Sequence, residues 1–173
     1  MTKKVLLILL IFAFISPLMT QSISQIAFII KKALPDVENI AVIYPKHLKD
    51  SIVSQAKTAQ LVTKKNITVY GVSRKSELSN ELYNIKRLKN AAVIIITDDN
   101  ILAPKAIQFI LEKLGTKNMP LISNRSKDTL QGALLSIFVK DNQIEKHINK
   151  IVAAALNLNI PEEFYTECII DVE

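Results

Sequence analysis

Cysteine is nearly missing from the 173 residues: Cys168 is the only one, so no disulfide can form within the chain. Glycine occurs three times and tryptophan not at all. Loops that cradle phosphate need glycines, because only then can successive backbone N–H groups approach the anion closely. Neither G-x-G-x-x-G nor a Walker loop is present, which excludes dinucleotide and nucleoside-triphosphate cradles; a flavin cradle lacks its Ser/Thr/Gly run. Aromatics make up 6% of the chain and the lysines are scattered, which argues against a nucleic-acid surface. The two histidines, His47 and His147, lack metal-ligand spacing to each other or to Cys168, and surface positions are expected for both. No G-x-S-x-G elbow is present, and no carboxylate ends the first strand to hold the Mg²⁺ of a phospho-receiver. Catalytic residues, cofactor and metal are therefore all expected to be absent.

What the chain has in quantity is apolar periodicity. Residues 5–15 form an unbroken apolar run behind Lys3 and Lys4, Pro17 follows, and no acidic residue precedes Asp36. This pattern predicts a signal peptide over residues 1–24, cleaved after Ser22 or Ser24, and a single domain over residues 25–173. The competing expectation is an uncleaved N-terminal membrane anchor, for which the run is short. Loss of Lys3 and Lys4 lowers the formal charge from +6 to +4.

Downstream, apolar strands alternate with amphipathic helices. Residues 39–44 (NIAVIY), 67–72, 92–97, 120–123 and 133–139 read as strands, and 167–172 as a last, edge strand. Helices are expected over 25–34, from Asp50, from Ser76 and from Pro104 to Gly115. A further helix is expected from Asn142, capped with Glu145 and carrying Ile144, Ile148, Ile151, Val152 and Ala155 on one face. Alternation of this kind predicts an α/β fold, a three-layer α/β/α sandwich on a mostly parallel sheet.

The segment 91–100 (AAVIIITDDN) is apolar at nearly every strand position and then abruptly polar. A strand apolar on both faces is central, and its carboxyl end opens on the crevice where such sheets bind ligands. Asp98, Asp99 and Asn100 are candidates there, one of them as a helix cap and another as a ligand contact. Ser123 and Asn124 follow the fourth strand at the same edge, with Arg125 able to pair with a carboxylate, and Tyr44 flanks them from the first strand.

Several of these segments are similar to the substrate-binding proteins of ABC transporters, of the type that binds tryptophan and other amino acids. Lys32-Ala33-Leu34-Pro35 leading into residues 39–44 resembles that family's helix, Leu-Pro turn and "IGVLYNP" strand. Residues 92–100 resemble its "DAIYVPTDN", with Asp99-Asn100 on the Asp-Asn pair. Residues 119–123 with Gly132-Ala133-Leu134 resemble its "P-V-F" and "G-A-L-A" segments, and residues 157–161 its "L-x-G-x-x-P". Where the family has "G-V-D-Y", this chain has Phe138-Val139-Lys140-Asp141, without the terminal aromatic. The resemblance implies a single periplasmic-binding-protein-like, flavodoxin-like lobe, the second of the family's two. It implies an exported, periplasmic, non-enzymatic binder of a small solute such as an amino acid, with Tyr44, Asp99, Asn100, Ser123 and Asn124 as ligand contacts. The alternative is an interaction module that docks on a membrane receptor, transporter or sensor. With one lobe, a partner is expected to supply the second face, either a second copy or another protein. Tyr44, Val72, Ile101 and Leu102 are then expected to be exposed at the edge.

Overall fold

The computed structural model describes residues 22–97, 102 and 104–172. Helix α1 (Ile23–Ala33) leads into β1 (Asn39–Pro45), α2 (Lys49–Thr63) and β2 (Asn66–Val72). There follow α3 (Lys75–Ile85), β3 (Ala91–Ile95), α4 (Pro104–Leu114) and β4 (Leu121–Ser123). A hairpin of β5 (Leu135–Lys140) and β6 (Gln143–Asn149), then α5 (Lys150–Ala155), α6 (Glu162–Thr166) and β7 (Ile169–Val172), complete the chain. All seven strands form one sheet in the order β2-β1-β3-β4-β5-β6-β7, parallel except where β6 runs against β5.

The apolar runs are explained by burial on two faces. In β3 the side chains of Ala92 and Ile94 enter the core under α1 and α2, with Ile96 just beyond. Those of Ala91, Val93 and Ile95 enter the core under α3 and α4. Period-2 alternation thus serves two cores, and no position is left for a polar residue. The helices pack as their stripes require. Ile52, Ala56 and Ala59 of α2 are buried, as are Leu78, Leu82 and Ile85 of α3. Val62, on the expected stripe, is 56% exposed, and Thr63 is buried in its place with its hydroxyl bonded to the carbonyl of Ala59.

Helix α1 begins two residues earlier than its stripe suggests. Ser22 caps it in a capping box with Gln25, and Ile23 is fully buried. The α-helix after Pro104 ends at Leu114, so Gly115 marks its stop as expected. A 3₁₀ turn (Gly115–Lys117) follows, and Asn118 takes the left-handed conformation. Asn tolerates that region because its short side chain can bond locally.

The helix expected from Asn142 is largely a strand. Asp141 (φ 49°) and Asn142 (φ 61°) are both left-handed and form the two-residue turn between paired Lys140 and Gln143. Asp and Asn are among the residues that accept such φ values, so they set a tight hairpin here rather than a helix cap. Only Lys150–Ala155 is helical, and its cap is Asn149, whose side-chain oxygen accepts from Val152 N at 2.9 Å.

This shift relocates His147 as well. Instead of lying on a solvated helix face, it sits on β6 with a side chain only 15% exposed. Its Nδ1 is 2.8 Å from Asp171 Oδ1 on β7, and its Nε2 is 3.2 Å from Glu145 Oε2.

The edge predicted to expose apolar groups does not. Tyr44, Val72 and Leu102 are 4%, 0% and 0% exposed, because α2, α3 and α4 close over the strand ends. Ile101 lies outside the described residues.

Candidate functional site

Strand order reverses at β1. The chain steps outward to β2, then crosses back to β3 on the other side. Helices leaving neighbouring strands in opposite directions open a crevice at the carboxyl ends, where open α/β sheets hold ligands. A cleft of about 460 Å³ occupies that position, within the size range of small-molecule sites.

Three strand ends build one wall. Strand β3 brings Ile96 and Thr97, β4 is followed by Asn124, and β5 contributes Phe138 and Val139. Ile23, at the start of α1, with Leu48, Ser51, Ile52 and Gln55 at the start of α2, forms the opposite wall. Gln55 holds that wall in place. Its Oε1 accepts from Ile23 N at 2.9 Å, and its Nε2 donates to Ser51 Oγ at 3.0 Å.

Asn124 is the best-oriented polar group. Its Oδ1 accepts from both Thr97 N (2.9 Å) and Thr97 Oγ1 (2.8 Å). A backbone N–H can only donate, so the side-chain oxygen must face Thr97 and the amide nitrogen must face away. That nitrogen has no hydrogen-bond partner among the described residues. Phe138 adds an aromatic face to the lining, and its ring is backed by His147 with centroids 5.0 Å apart.

The other residues singled out from the sequence are placed as follows. Ser123 is fully buried; its hydroxyl donates to Asp128 Oδ2 and accepts from Arg125 N at 3.2 Å. Arg125 is turned back on the same carboxylate, with Nη2 at 2.5 Å and Nε at 3.0 Å from Asp128 Oδ1. Tyr44 is buried, its ring packed on β2 so closely that a Cβ at Gly71 would meet the hydroxyl at 2.9 Å. Burial, reinforced by the charge of Asp50, raises its phenol above the usual value. Asp98, Asp99 and Asn100 lie outside the described residues.

Thr97, Gln55, Ser51 and Phe138 were not among the expected contacts. Thr97 opens the polar burst, so strand-end position could have found it, whereas Phe138 lies within the fifth strand, two residues before its end. Gln55 and Ser51 are helical, with nothing local to mark them. Among the described residues no group of three His, Cys, Asp or Glu side chains is placed to hold a metal ion. No helix among them is long and apolar enough to cross a membrane.

The family described as ABC transporter substrate binding protein matches over residues 17–170. Three solved structures share the fold. A conserved domain protein from Vibrio cholerae O1 biovar eltor matches with a TM-score of 0.74 and 16% identity, over 86% of this chain and 60% of that one. An ABC domain in complex with L-Trp from Streptococcus pneumonia matches at 0.71 and 15%, over 83% and 58%. The ligand-free, open structure of a substrate binding protein with adhesive properties from Clostridium difficile matches at 0.70 and 13%, over 87% and 60%. The chain thus spans about 60% of the length of these structures. No curated protein matches it.

Proposed function

The chain belongs to the ABC transporter substrate binding protein family, and from that premise we propose that it binds a small organic solute, such as an amino acid, in the crevice outside β3, β4 and β5. The observation that carries this reading is Asn124. Its oxygen is consumed by Thr97, and its amide has no partner among the described residues, in a cleft whose apolar walls include Ile23, Ile96 and Phe138 and whose Gln55 is spent on Ile23 and Ser51. A site of this make-up favours a ligand with an apolar body and one polar acceptor, since apolar lining supplies area and a few polar groups supply orientation.

The role is binding without chemistry. This reading rests on the family, which is one of substrate binding proteins. Export through residues 1–24 brings the domain to the periplasm, where an ABC permease is the partner that would take the solute. A second copy or another protein covering the crevice would bury more of the ligand than one lobe can.

A thermal-shift panel of amino acids and related solutes tests the reading, because a ligand that binds only the folded state raises the melting temperature. With a solute found, Asn124→Asp keeps an oxygen for Thr97 and removes the amide donor. Affinity is expected to fall by about 1–3 kcal/mol, roughly five- to 150-fold. Unchanged affinity in that variant places the solute elsewhere, and no shift with any solute leaves the docking role.

A further inference from the structure

At the opposite, amino-terminal edge of the sheet lies a second and broader cleft of about 1000 Å³, below the starts of β3 and β4. Lys86, Arg87, Lys89 and Lys117 line it, together with Tyr83 and Met119, and no acidic residue does. None of the four cations forms an ion pair among the described residues. Two carboxylates belong to neighbouring segments rather than to its lining. Asp36 lines the adjoining recess, and Glu38 is tied through its backbone N–H to the carbonyl of Asn90.

The ordinary reason for lysines here is the helix dipole. Helix α3 ends at Ile85, and the 3₁₀ extension of α4 ends at Lys117. Each helix carboxyl end carries about half a negative charge. Two ends therefore offset about one of the four positive charges, and the remainder is a net positive surface. Its form also argues against a single small anion, which would stay largely hydrated in so broad and open a depression.

Tyr83 adds a different signal. It is 68% exposed at the rim, a large amphipathic ring of the kind enriched at the headgroup level of bilayers. Clustered Lys and Arg side chains are drawn to anionic lipid within a Debye length. We propose that this cleft seats the protein on an anionic phospholipid surface, the four cations meeting lipid phosphates and Tyr83 entering the headgroup layer. The solute crevice, at the other edge of the sheet, is left uncovered by this contact. This goes beyond solute binding and does not depend on it.

The test measures partition of the full chain onto phosphatidylcholine vesicles with and without phosphatidylglycerol. The neutral vesicles report whatever the apolar residues 5–15 contribute, and the ratio isolates the electrostatic part. The combined variant Lys86→Gln, Arg87→Gln, Lys89→Gln, Lys117→Gln is expected to lower that ratio about tenfold or more. A control with the same charge change at the exposed Lys46, Lys49, Lys57 and Lys127 is expected to keep most of it. The wild-type preference should also fall steeply with added salt. Equal loss in the control would show net charge alone at work and overturn the proposal, as would a wild-type chain with no anionic preference. Displacement by soluble glycerol phosphate at millimolar concentration would show a small-phosphate site instead and overturn the membrane assignment. Circular dichroism of both variants confirms that surface changes left the fold intact.

Discussion

Asp128 shows how much one side chain can organise. Its carboxylate is fully buried and accepts from the Ser123 hydroxyl and from two nitrogens of Arg125. Ser123 and Arg125 are thereby committed to shaping the turn that presents Asn124. Removing one partner of a buried pair leaves the other uncompensated, at a cost of about 3–5 kcal/mol. Arg125 keeps a side-chain exposure of 26%, so water recovers part of this. Asp128→Ala is expected to lose about 3 kcal/mol in urea unfolding, and Asp128→Asn less because it can still accept from Ser123. An unchanged midpoint in the alanine variant would remove the carboxylate from its central role. Cys168 behaves as its apolar neighbours suggest. It packs against the core, and burial pushes its thiol up to about 11, so almost none is thiolate at neutral pH.

Two elements differ from their sequence pattern for local reasons. In the β5–β6 hairpin the turn residues outweigh a helical stripe, and replacing them should expose that dependence. Asn142→Val puts a β-branched residue at φ 61°, where a left-handed backbone costs about 1–2 kcal/mol. Unfolding measurements should show a loss of that order, with Asn142→Gly neutral or stabilising. A valine variant as stable as wild type would mean that the hairpin does not depend on its turn. The start of α1 is the second case. The cap lies at Ser22 and Ile23 is already buried, so the capping box rather than the apolar stripe marks where this helix begins.

One carboxylate ties together three elements far apart in the sequence. Glu167, after α6, is 3.3 Å from Lys32 of α1 and 2.5 Å from Lys146 of β6. Hydrogen bonds from Lys146 and then Lys32 hold its carboxyl below the ordinary 4.5, and His147 and Lys140 do the same for Glu145. A carboxyl depressed in the folded state contributes stability that is present above its unfolded value and lost as pH falls through the folded one. The melting temperature should therefore hold from neutral pH down to about 5 and decline below it. Because these groups are exposed, the effect should be modest and weaken with salt. Glu167→Gln should flatten the acid slope, and an unaltered slope would take Glu167 out of the linkage.

Apolar periodicity was enough for the strands, most of the helices and the α/β class. Residues 92–96 cannot be apolar at every position unless both faces of the strand are covered. The polar residues just past those strands point to the carboxyl edge of the sheet, which is where the crevice lined by Thr97 and Asn124 lies. Periodicity could not separate a strand with isoleucines four apart from a helix, and there the φ values of Asp141 and Asn142 decided. Nor could it tell which polar groups at the edge are consumed internally. Ser123 and Arg125 look like free ligand contacts until Asp128 folds back onto both. Asn124 acquires its orientation only from Thr97, 27 residues earlier in the chain. Such pairings join separate strands across the sheet, and no local pattern encodes them.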